Sequence, residues 1–147
     1  MPETVSDDVR DFFANFERAG AELDLDATGA QFADYFLSAD PNGTHVVPKA
    51  ALLAALPQRQ QMFRSAGLSA MRLRHLAQTT LDDNYVLAKT EWAMEADQPG
   101  APAVDATLSS TFILRREAGT LRIVFYLNHR DVMALISERV ARFAAEK

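Results

Sequence analysis

Apolar positions recur at helical spacing in the first half of the chain and at every second residue in most of the rest. Val9, Phe12, Phe13, Phe16 and Ala19 lie three or four residues apart or side by side, so one apolar face runs along a first helix. Ser6 precedes it as an N-cap, and Asp7 and Asp8 fall in the first turn, where carboxylates suit the helix dipole. Asp26 or Thr28 would cap a second, shorter helix running through Gln31, Phe32 and Tyr35. Asp40-Pro41-Asn42-Gly43 then predicts the turn of a short hairpin. Pro48 suits the first turn of a third helix over Ala50 to Phe63, stopped at Gly67. Pro57 lies inside it and should kink or divide it, because proline removes a donor and crowds the carbonyl four residues back.

After Gly67 the period becomes two. Met71, Leu73, His75, Ala77 and Thr79 share one face of a predicted strand, with Arg72, Arg74, Gln78 and Thr80 on the other. Val86, Ala88, Thr90, Trp92 and Met94 form the inward face of the next, and Gln98 to Pro102 read as a loop. Two more strands, about 106 to 116 and 121 to 129, meet at the hairpin turn Glu117-Ala118-Gly119-Thr120. Leu108, Ser110, Phe112 and Leu114 face inward on the first of these, and Ile123, Phe125, Leu127 and His129 on the second. Val132, Leu135, Ile136, Val140 and Phe143 close the chain with an amphipathic helix that packs on the domain's own core or on a partner chain.

Helices followed by a meander of long antiparallel strands specify an α+β domain, and 147 residues suit a single one spanning 1–147. A formal charge of -5 opposes binding to nucleic acid and to anionic membranes, so neither is an expected partner. The acidic N-terminus lacks the basic and apolar regions of a signal peptide, and the chain has no cysteine, so a cytoplasmic location is expected. There is no glycine-rich phosphate loop and no Gly-x-Ser-x-Gly elbow.

The order of elements resembles the nuclear transport factor 2-like superfamily, the cystatin-like α+β cone, in its polyketide cyclase-like and ketosteroid isomerase-like branch. The resemblance is strongest over Ser110-Thr111-Phe112-Ile113-Leu114-Arg115-Arg116-Glu117-Ala118-Gly119-Thr120-Leu121-Arg122-Ile123-Val124, which looks like the family's penultimate hairpin. Members commonly carry Trp where this chain has Leu121, and many a His where it has Leu127, the imidazole here moving to His129. The resemblance implies helices packed in the concavity of a strongly curved, mainly antiparallel sheet. It also implies a homodimer formed through the outer sheet face, where parity places Val124 and Tyr126.

Candidate chemistry follows from the inward positions. His75 and His129 share apolar faces of different strands, so they would act as a proton-transfer pair, or simply be satisfied as core histidines. Trp92 and Phe112 would wall a cavity for a small apolar or cyclic molecule, with Thr90, Ser110 and Tyr35 offering hydroxyls, or they are core. Metal binding through His75, His129 and Glu91 is disfavoured because parity turns Glu91 away, and no cofactor is expected. The sequence therefore supports a non-catalytic, dimeric small-molecule-binding module. The alternative is a cofactor-independent isomerase, dehydratase or cyclase-like enzyme acting on an apolar or cyclic carbonyl compound by general acid-base chemistry.

Overall fold

A computed structural model describes residues 3–96 and 107–145, which leaves the loop expected at Gln98 to Pro102 outside the described residues. The elements run α1 (Asp7–Glu22), α2 (Leu25–Ala30), β1 (Phe32–Asp40), β2 (Gly43–Pro48), α3 (Lys49–Ser65), β3 (Leu68–Thr80), β4 (Tyr85–Ala96), β5 (Thr107–Glu117), β6 (Thr120–Asn128) and α4 (Val132–Ala145). The strands form one sheet in the order β2-β1-β6-β5-β4-β3. Only the β1–β6 pair among these is parallel. Buried side chains from α1, α4 and the inward sheet face make one core, so the helices fill the hollow of a curled sheet as expected.

Two local expectations change. The shorter helix ends at Ala30 and is capped by Asp24, whose Oδ1 accepts the Ala27 N–H at 3.1 Å, rather than by Asp26 or Thr28. Phe32 to Tyr35 then belong to β1, because this segment pairs with both β2 and β6. Helix α3 runs through Pro57 without dividing. The tight turn between β5 and β6 falls on Ala118 and Gly119, with φ 50° and 80°, the left-handed values that a two-residue hairpin requires.

Irregular pairing decides which side chains reach the core. Leu73 pairs with Trp92 and His75 with Glu91, so Arg74 is an extra residue on β3. Ile113 pairs with Phe125 and Leu114 with Ile123, so Val124 is an extra residue on β6. Each bulge inverts the faces beyond it. Leu76 and Gln78 therefore turn in while His75, Ala77 and Thr79 turn out. On β6, Tyr126 and Asn128 turn in while Phe125, Leu127 and His129 turn out, which reverses the parity reading of this strand. The inward sets of β4 and β5 stand as read, with Val86, Ala88, Thr90, Trp92, Leu108, Ser110, Phe112 and Leu114 all buried.

The start of α1 is tied to the far ends of the sheet. Ser6 makes no side-chain cap. Instead its N–H donates to Gln78 Oε1 at 2.9 Å and its hydroxyl to Asp8 Oδ1 at 2.6 Å. Asp8 also accepts from Arg116 Nε at 2.9 Å, and this pairing holds its carboxyl down at about 2 against an ordinary 3.8. A carboxyl lowered on folding contributes stability that is present above pH ~4 and lost as the pH falls through ~2. Asp8 is half exposed, so screening limits the contribution to about 1 kcal/mol. Urea unfolding of the protein and of Asp8→Asn should differ by about that amount at neutral pH and converge near pH ~2. A difference that does not depend on pH would contradict the pairing.

Candidate functional site

A cavity of about 170 Å³ lies between the helices and the inward face of the sheet. Its apolar wall comes from Phe16 of α1, Phe32 of β1, Phe63 of α3, Trp92 of β4 and Tyr126 of β6. Four of these rings are in contact, with centroids 5.7 Å apart for Phe16 and Trp92, 6.4 Å for Phe16 and Phe32 and 6.4 Å for Phe32 and Tyr126. Leu52, Leu56 and Met71 add aliphatic surface. The phenylalanines thus do two jobs. Phe13 and Phe112 are fully buried and fill the core, Phe32 is as deeply buried yet borders the cavity, and Phe16 and Phe63 are partly buried beside it.

The polar groups of the wall are held in place. Trp92 Nε1–H donates to Thr90 Oγ1 at 2.7 Å, and the Thr90 hydroxyl donates to the Ser110 carbonyl at 3.2 Å. The indole therefore has its polar edge satisfied and its orientation set. Ser110 Oγ donates to Asn128 Oδ1 at 2.6 Å. Burial pushes the Tyr126 phenol up, while Arg59 and the Asn128 and Ser110 side chains pull in the opposite direction, so at neutral pH Tyr126 keeps its proton and is a donor. Glu17, also in the wall, accepts the Leu73 N–H at 2.5 Å.

Of the residues singled out from sequence, Trp92 lines this cavity. Thr90 and Ser110 support it from behind, through the indole and through Asn128. Phe112 lies beneath Tyr126, its ring centroid 4.5 Å away, and is core rather than lining. Tyr35 is 68% exposed and does not point its phenol inward, since β1 turns Phe36 to the core and its neighbour away from it.

His75 and His129 do come together, but on the outer face. Both border an open groove of about 400 Å³ with Lys89, Glu91, Ser109 and Thr111. His129 Nε2 is 2.8 Å from Thr111 Oγ1, and His75 stands opposite Glu91 on the neighbouring strand. The sheet separates this groove from the cavity, so the imidazoles do not line the space where the sequence placed them. Among the described residues no three His, Asp or Glu side chains converge on a metal position, and no helix is long and apolar enough to cross a membrane.

Sequence reading missed Tyr126 and Asn128 because the Val124 bulge reverses their parity. It also missed Arg59 and Gln60, although a signal was present. Leu52, Leu56, Arg59 and Phe63 follow one another at spacings of four, three and four, placing a cation within an apolar helical stripe.

Helices laid in the hollow of a curled sheet, over an aromatic cavity with a few ordered polar groups, define the cystatin-like α+β cone. The chain belongs to the NTF2-like family, whose model, described as NTF2-like protein (DUF6841), matches residues 3–131. No curated protein matches it. Among solved structures it is similar to Aln2 from a Streptomyces species, at 17% identity and TM-score 0.71 over 92% of this chain and 99% of that one. An NTF2-like protein with a cystatin-like fold from Novosphingobium aromaticivorans gives 17% identity and TM-score 0.69, covering 90% of this chain and 86% of that one. ActVI-ORFA from Streptomyces coelicolor gives 17% identity and TM-score 0.67, covering 84% of this chain and 95% of that one. At such identities the likeness establishes the fold alone.

Proposed function

We propose that the protein is a cytoplasmic small-molecule-binding module that holds an apolar or cyclic compound in its cone, without a cofactor and without chemistry. The observation that carries this reading is the cavity of about 170 Å³ walled by Phe16, Phe32, Phe63, Trp92 and Tyr126. An apolar protein cavity of about 150 Å³ accepts benzene, so the space suits one ring and a small substituent. Trp92 is the only tryptophan of the chain, which makes its fluorescence a direct report of occupancy. A library of cyclic ketones, acids and amides should yield compounds that shift this fluorescence and raise the melting temperature, and are recovered unchanged. Failure of every compound to do either would count against the reading.

A second reading, a cofactor-independent isomerase, dehydratase or cyclase-like enzyme, draws on Tyr126. A protonated phenol in an apolar wall can donate to a substrate carbonyl as charge develops on its oxygen. In the same screen it requires a product, and Tyr126→Phe should then abolish turnover while leaving binding in place.

The reading includes a homodimer through the outer sheet face. Leu87, Ile113, Phe125, Leu37 and Val46 stand side by side in one row across five strands, and Val46 is 69% exposed. Phe125 and Leu127 take the place in this surface that parity had assigned to Tyr126. Phe125→Lys should convert a dimer into a folded monomer in light scattering coupled to gel filtration. A monomeric parent, or a dimer that survives Phe125→Lys, would retire this face as the interface.

A further inference from the structure

The described lining of the cavity holds one positive and one negative side chain, Arg59 and Glu17, and the two do not pair with each other. Arg59, half-buried on α3, is the only basic side chain in its lining among the described residues. Among those residues it makes no hydrogen bond and no ion pair, although it lines the cavity rather than open surface. The one acidic side chain in the described lining is Glu17, and its Oε2 is engaged by the Leu73 N–H at 2.5 Å on the β3 side of the cavity. Guanidinium groups withdrawn from water are costly unless an anion meets them, and the planar fork matches a carboxylate with two parallel N–H donors. Gln60 beside Arg59, and Asn128 with the Tyr126 phenol on β6, are further donor-bearing groups of the lining.

Resting on the proposed binding role of the cavity, we infer that its ligand is an organic monoanion, a carboxylate attached to an apolar ring, with Arg59 as the counter-ion. The ring lies against Trp92, Phe16 and Phe32, and the carboxylate meets the guanidinium. The influence of Arg59 on the Tyr126 phenol agrees with this, because it shows the positive charge acting on the cavity wall. The proposal separates an anionic from a neutral cyclic ligand, a distinction that cavity size and aromatic walls leave open. It also explains why an apolar stripe of α3 carries arginine at the position between Leu56 and Phe63.

The test compares cyclohexanecarboxylate with its neutral isostere cyclohexanecarboxamide, both read by Trp92 fluorescence and by calorimetry. The protein should bind the carboxylate roughly tenfold more tightly than the amide or better, as expected for a charge-assisted contact. Arg59→Gln should lose that preference yet bind the amide within about twofold of the parent, which also shows that it folds. Arg59→Lys keeps the charge and should retain part of the preference. Equal binding of the two compounds by the parent, or a preference undiminished in Arg59→Gln, overturns Arg59 as the counter-ion while leaving the cavity as a binding site. If neither compound perturbs Trp92 or binds, the inference falls together with the reading of the cavity as a site for such rings.

Discussion

Phe112→Ala is expected to destabilise the protein by about 3–5 kcal/mol, the largest effect of any single truncation on the sheet. Phe112 is fully buried and its ring contacts three others, with centroids 5.1 Å from Phe13, 5.6 Å from Phe16 and 4.5 Å from Tyr126. Removing it takes away the transfer free energy of the ring and leaves a void that α1 and the sheet cannot both close. For a domain of this size the melting temperature should fall by roughly 10–15 °C. Phe112→Leu, which keeps most of the volume, should cost about 1–2 kcal/mol. The same change reaches the cavity, because Phe112 lies beneath Tyr126. A loss under about 1 kcal/mol for Phe112→Ala in chemical unfolding would show that this cluster is not the centre of the core.

Deleting Ala77 should cost about 2 kcal/mol, although its side chain is exposed, whereas deleting Arg74, also exposed, should cost less than about 1 kcal/mol. The difference comes from the bulge. With Arg74 removed, β3 pairs regularly with β4, and His75, Leu76 and Gln78 keep their partners and faces. With Ala77 removed, either Gln78 and the residues after it change face, or the bulge is absorbed and His75 and Leu76 do. The first loses the bond in which Gln78 accepts from the Ser6 N–H, worth about 1–3 kcal/mol, and the second takes Leu76 from the core, worth about 1.5–3 kcal/mol. Urea unfolding of the two deletions side by side measures the effect of register separately from that of chain length. Equal stabilities for the two would mean that the bulge does not set the faces of the far half of β3.

The amino-acid sequence by itself determined the kinds of element and most of their positions. Helical spacing marks α1 and α4 and alternation marks β3 to β6, because each of these segments must bury one face and expose another. The turn at Ala118 and Gly119 and the inward sets of β4 and β5 were likewise legible, since no extra residue interrupts the pairing of those two strands. The resemblance carried by the Ser110 to Val124 hairpin pointed to the right family.

Tertiary structure decided the rest. Phe32 to Tyr35 read locally as the end of a helix, yet they form a strand because β6, some ninety residues further on, offers a parallel edge on one side and β2 an antiparallel one on the other. The bulges at Arg74 and Val124 are a matter of how many residues two strands set against each other, which no single strand reveals. Those two residues moved His75 and His129 to the outer groove and brought Tyr126 and Asn128 into the cavity. The sequence could name the apolar stripe of α3, but only the packing of that helix over the sheet brought the half-buried Arg59 into one cavity lining with Trp92. Side-chain pattern is a local property and face a relational one, so the elements were written in the chain while the site arose where they met.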